Sequence, residues 1–185
     1  MPENYIPDLI GSIQTDSKFA LEDSYQQALS VIAKTLTPNE YPSALVVTRE
    51  RAQQDYQAGK LDLPTASKIF LTVLHLSIEV EDYDSQIITL CNLGLMFQNA
   101  RAYDEAIIFA REGIRISYKH NLLELKLKAL NVLSLVYTNT QQSHKQTEVM
   151  EEVAEIHGKL GQMDKKEEIE ALIKAKREFM ALLGE

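Results

Sequence analysis

The sequence predicts an all-α chain in which helices pair into hairpins and the hairpins stack, and three observations predict it. The 185 residues contain no Trp, seven glycines and five prolines, with plentiful Ala, Leu, Glu, Lys and Gln, a composition that suits helices far better than sheets. Apolar residues recur at three- and four-residue spacing in one segment after another, with Gly, Pro and Asp between the segments. The chain also matches itself at an offset of 40, where LCNLGLMFQN (Leu90 to Asn99) aligns with LNVLSLVYTN (Leu130 to Asn139).

Eight helices follow from this reading. Residues 1–15 carry Pro2, Pro7 and Gly11 without periodicity and read as an arm whose order depends on docking. Asp16 or Ser17 caps a first helix with Leu21, Tyr25, Ala28, Leu29, Ile32 and Ala33 on one stripe, stopped by Thr37-Pro38-Asn39. A second helix spans Ala44 to Gln57 and closes at Ala58-Gly59, glycine accepting the left-handed conformation that ends a helix. The third starts at Pro64, where a missing N–H costs no hydrogen bond, and Glu81 to Asp84 forms the next turn and cap. Ser85 to Asn99 and Asp104 to Tyr118 form an antiparallel hairpin across a short turn, repeated by Leu122 to Asn139 with His144 to Lys159. A last helix covers Asp164 to Leu183. The organisation is therefore an N-terminal arm and helix (1–43), about three hairpins (44–160) and a C-terminal capping helix (161–185).

The offset of 40 pairs Leu90 with Leu130, Leu93 with Leu133, Leu95 with Leu135, Phe97 with Tyr137, Asn99 with Asn139, Ile116 with Ile156 and Ala66 with Ala106. A third copy is visible in ASKIFLTVLHL (Ala66 to Leu76) against AIIFAREGIRI (Ala106 to Ile116). Within this pattern NLGLMFQNARAYDEAIIFAREGI (Asn92 to Ile114) closely resembles the tetratricopeptide repeat. Leu93, Gly94, Phe97, Tyr103, Ala106, Ala110 and Gly113 fall on that family's large and small signature positions. Gly94 and Ala106 are expected to let two helices approach closely, and Phe97 and Tyr103 to fill the space between that hairpin and the next. The resemblance covers about Ala44 to Lys159. Ser134 replaces the small glycine, Gln146 stands where alanine is expected, and the turn Lys60 to Thr65 is about two residues too long. The family's usual repeat is about 34 residues, so a period of 40 means longer helices or connections, and HEAT-like helical pairs share that length.

The resemblance implies a curved ribbon whose inner wall is made by the first helix of each pair, the family's usual binding surface. The positions carried onto that wall are Val46, Arg49, Gln53 and Tyr56, then Cys91, Leu95, Gln98 and Asn99, then Lys128, Asn131, Leu135, Thr138 and Asn139. Amide side chains there suit an extended peptide backbone, and Leu95 and Leu135 offer apolar pockets, so the expected role is an adaptor or chaperone that holds a segment of another protein. Family members that grip a terminal carboxylate use paired lysines and asparagines, a pattern matched here by Lys128 and Asn131 alone. The run DYQAGKLDLPTASKIF, followed by DYDSQIITLCNLG and YDEAI, is similar in order and spacing to the small translocator chaperones of type III secretion. That resemblance implies an acidic, cytoplasmic, three-repeat protein whose N-terminal helix, here residues 17 to 36, dimerises.

Composition narrows the alternatives. A formal net charge of -8, with Lys and Arg scattered among carboxylates, works against nucleic-acid binding. Charged or strongly polar residues interrupt every apolar run, so no membrane insertion is expected. The single cysteine, Cys91, excludes an internal disulfide framework, and the N-terminus lacks a basic start and apolar run, so a cytoplasmic, reducing setting is expected. His75, His120, His144 and His157 lack a second ligand at metal spacing, and Cys91 reads as a small buried apolar residue. Gly158-Lys159-Leu160-Gly161 lacks the spacing of a phosphate loop, and the carboxylates of Glu151-Glu152 and Asp164 to Glu170 read as solvated helix faces. The expectation is a chain with no enzyme activity, cofactor or metal. The last helix gathers Ile169, Leu172, Ile173, Phe179, Met180 and Leu183 on one side and is read as a cap, the alternative being a homodimer through the terminal helices.

Overall fold

The computed structural model describes residues 40–183, so the predicted arm and first helix lie outside the described residues. Seven helices follow: α1 (Tyr41–Gln57), α2 (Leu63–Glu79), α3 (Tyr83–Asn99), α4 (Tyr103–Lys119), α5 (Leu123–Asn139), α6 (Ser143–Lys159) and α7 (Met163–Leu183). They are the second to eighth predicted helices, their starts displaced by one to three residues and the predicted ends from Gln57 to Leu183 by at most one. No strand occurs among the described residues, and each helix packs on the next, giving an all-α stack of helical hairpins.

The regularity goes beyond what periodicity indicated. Each helix from α1 to α6 is 17 residues long. The residues after them that turn into the left-handed region, Glu81, Arg101, Asn121, Gln141 and Gly161, recur every 20 positions. Each of these turns closes with the same pair of backbone bonds. At the first, Glu81 N–H donates to Ile78 O at 3.2 Å and Asp82 N–H to Ser77 O at 2.9 Å, and the pattern repeats at 101/102, 121/122, 141/142 and 161/162. This is the Schellman arrangement, which satisfies carbonyls that the helix end leaves open. The second of the paired residues is also the N-cap of the next helix, so a single three-residue connection ends one helix and starts another. Asp62 and Asp82 add side-chain caps, accepting from the N–H of Thr65 at 2.8 Å and of Ser85 at 3.1 Å. The connection after α1 holds five residues, the predicted two-residue excess, and Leu61 within it is buried in the core.

One continuous apolar core runs along the stack from Ala52 to Ile156, with Phe70, Phe109, Leu90, Leu93 and Leu130 fully buried. Truncating such a leucine to alanine costs about 2–5 kcal/mol. The small residues act as predicted at α3: a β-carbon on Gly94 would meet Ala106 O at 3.5 Å and Val132 Cγ1 at 2.9 Å. The Phe97 ring lies 5.4 Å from that of Phe109 inside the same hairpin. A polar bridge to the next hairpin adds to the apolar contact of Gly94 with Val132, Arg111 Nη2 donating to the Tyr137 hydroxyl at 3.2 Å.

The apolar side predicted for the last helix is divided. Ile173 and Met180 are buried, whereas Leu172 and Phe179 are exposed. Among the described residues no helix is long and apolar enough to cross a membrane.

Candidate functional site

Contact between alternate helices identifies the inner wall. α3 packs on α5 and touches α1, while the second helices α2, α4 and α6 meet one another at most marginally. Because α1, α3 and α5 have equal length, residues at the same helical position form rungs across the wall. Arg49, Cys91 and Asn131 make one rung, Gln53, Leu95 and Leu135 the next, and Tyr56, Gln98 and Thr138 a third.

The rungs are unevenly accessible, which corrects part of the sequence-based assignment. Arg49, Cys91 and Gln98 are only 6%, 5% and 7% exposed and are not open contact surface. Arg49 spans the seam between α1 and α3 and reaches Ser85. Cys91 belongs to the core, and burial pushes its thiol pKa up to about 12, opposed weakly by Lys128 on α5. Tyr56 and Leu95 are half-buried against the core. The Gln53 and Gln98 Oε1 atoms are buried without a hydrogen-bond partner among the described residues. Asn99, Lys128, Asn131, Leu135, Thr138 and Asn139 are exposed, so α5 supplies most of the open wall. Thr138 is already engaged, its Oγ1 donating to Ser134 O at 2.9 Å and accepting from Gln146 Nε2 at 2.7 Å. Gln146, the departure from the expected alanine, thus ties α6 to α5, and its Oε1 receives Lys176 of α7.

α7 continues this wall. It sits against α6 as α5 sits against α4: Lys126 lies over the Tyr118 ring at 5.1 Å and Lys166 covers Gly158 at the matching place. Likewise Arg111 reaches Tyr137, and Arg177 pairs with Glu151 at the same positions one repeat on. The shared offset makes Leu172 the counterpart of Val132, Ala175 of Leu135 and Phe179 of Asn139. Yet Val132 is 3% exposed and Leu172 is 53%. Val132 seats against Gly94, but the residue that would receive Leu172 is Ser134, and α7 does not pack closely on α5. Leu135 on α5 and Leu172 and Phe179 on α7 are left 40%, 53% and 61% exposed. The sequence grouped Leu172 and Phe179 with Ile173 and Met180 on one side of the capping helix; Ser134 in the place of glycine is the feature that accompanies their separation.

Among the described residues no group of three His, Cys, Asp or Glu side chains is placed to hold a metal ion. No protein-family model matches the chain, and no curated protein sequence matches it.

Proposed function

We propose that the chain is a tetratricopeptide-like scaffold that holds a segment of another protein against its inner face and has no catalytic role. The observation that carries the reading is the exposure of apolar side chains, Leu135 on α5 with Leu172 and Phe179 on α7, on the wall formed by the first helices, which also bears exposed Asn131 and Asn139. Exposed apolar side chains and amides on one wall suit a segment whose side chains seek burial and whose backbone seeks hydrogen bonds. An adaptor and a chaperone of an aggregation-prone segment, as in type III secretion, are two settings for the same groove. A reducing cytoplasm suits the single buried thiol. Affinity capture from cells with the wild-type chain and with Leu135→Glu/Asn131→Ala tests the reading. A protein retained by the first and lost by the second is the expected result, and equal retention overturns the groove.

A second reading is favoured by the terminal helix itself, where Leu172, Phe179 and Leu182 are 53%, 61% and 85% exposed. A self-associating subunit would bury them against a second copy. Light scattering at high micromolar concentration separates the two, since a dimer dissociated by Phe179→Glu supports this reading and a persistent monomer removes it.

A further inference from the structure

The C-terminal half of α7 carries a second apolar stripe besides the one that seats it on α6. Ile173 and Met180 are buried, whereas Leu172, Phe179 and Leu182 stand open, and Ala175 between them is exposed too. Residues 172, 175, 179 and 182 follow one another at steps of three, four and three, the spacing of a seam between two helices. Such a stripe is covered along its length by a second helix, whose side chains enter the gaps between its own. The chain itself supplies a matching helix. Laid antiparallel about a two-fold axis at residue 177, α7 sets Leu172 opposite Leu182 of a second copy and Phe179 opposite Ala175. This is the one antiparallel register in which all four residues of the stripe find a partner within it, and each central layer sets a large ring against a small residue. Charge favours the same choice. α7 carries five Lys and Arg and five Asp and Glu, so the formal charge of -8 belongs to the rest of the chain. Two copies that meet at α7 bring neutral helices together, although their net charge opposes association as a whole.

We infer that this stripe is a homodimer seam, in which two copies of α7 pack antiparallel with Phe179 of each on Ala175 of the other. The inference rests on the self-association reading and adds the direction and register of the pairing. The groove on α5 keeps Leu135, Asn131 and Asn139. The seam spans 11 residues, short of the roughly 20–30 a side that a standard interface holds, so the expected dissociation constant is on the order of 10 μM.

The test is sedimentation equilibrium of the full chain across the micromolar range, joined to disulfide trapping. Phe179→Glu should weaken the dimer by at least about tenfold, since a carboxylate would enter an apolar seam. Ala175→Phe should weaken it because two rings then collide, and an equimolar mixture of Ala175→Phe with Phe179→Ala should associate more tightly than either alone, each ring again meeting an alanine. Under mild oxidation Leu172→Cys and Leu182→Cys should form a disulfide with each other when mixed and none alone, because the antiparallel register sets like positions about 15 Å apart along the axis. The buried Cys91 supplies no competing thiol. If each cysteine variant cross-links to itself while Phe179→Glu still dissociates the dimer, the antiparallel seam is overturned and the self-association reading stands. A dimer that survives Phe179→Glu overturns the seam as well. A chain of unchanged circular dichroism that stays monomeric throughout the range overturns both. For such a monomer, capture of another protein lost in Phe179→Glu assigns the stripe to a partner segment, and dimerisation that appears only after Leu21→Glu and Leu29→Glu assigns it to the chain's own N-terminal segment; either result removes the homodimer seam.

Discussion

Gly94 on α3 and Val132 on α5 meet so closely that a β-carbon on residue 94 would stand 2.9 Å from Val132 Cγ1. This contact lets two first helices lie side by side, and its absence at the next step leaves Leu172 uncovered. Gly94→Ala should therefore destabilise despite alanine's better helix propensity. Alanine gains about 1 kcal/mol in a helix interior, whereas overpacking costs about 1–3 kcal/mol, giving a net loss of about 1 kcal/mol. Urea denaturation of the double variant Gly94→Ala/Val132→Ala checks the cause. The two losses should sum to more than the double variant shows, because removing the valine methyls makes room, and strict additivity would rule the contact out.

The left-handed turns predict stabilisation. Glu81, Arg101 and Gln141 hold φ of 55°, 62° and 57°, a conformation that side chains disfavour and glycine accepts freely. Replacing each by glycine should raise stability by about 0.5–1 kcal/mol, with a smaller gain at Asn121, whose side chain tolerates this region better. Thermal or chemical denaturation of the single and triple variants would reveal it, and a uniform loss would contradict the turn geometry.

Cys91 predicts a pH dependence. Its folded pKa is raised to about 12 from 9.0, so the folded state holds the proton more tightly than the unfolded chain does. The thiol's contribution to stability is complete below pH 9 and is lost as pH rises from 9 towards 12. Cys91→Ala should flatten the fall in stability over that window relative to wild type. In the native chain at pH 8 the thiol should react with a disulfide reagent only as fast as the protein opens.

Leu95 and Leu135 share a rung and predict opposite results. Leu135 is 40% exposed, so Leu135→Glu should change stability by no more than about 0.5 kcal/mol. Leu95 is packed against the core, and a carboxylate there should cost more than about 2 kcal/mol. Denaturation curves of the two variants check this, and equal costs would contradict the wall's geometry.

By itself the sequence determined the helices, their order and the period of 40. These are local matters: apolar residues at three- and four-residue spacing define a stripe, and Pro64, Gly59 and Asp82 mark where helices begin and end. The two-residue excess after α1 was legible for the same reason. Only the tertiary structure decided which stripe is covered. Leu172 and Ile173 are neighbours in one apolar run, yet the first is exposed and the second buried, because α6 lies against one and nothing among the described residues closes over the other. Arg49, Cys91 and Gln98 fell on groove positions by register but lie buried. Glu81, Arg101 and Gln141 gave no glycine signal for their turns; backbone bonds at each helix end hold them there. Periodicity records which residues share a face, whereas exposure depends on how near the next helix stands, and along this wall that distance changes where Gly94 gives way to Ser134.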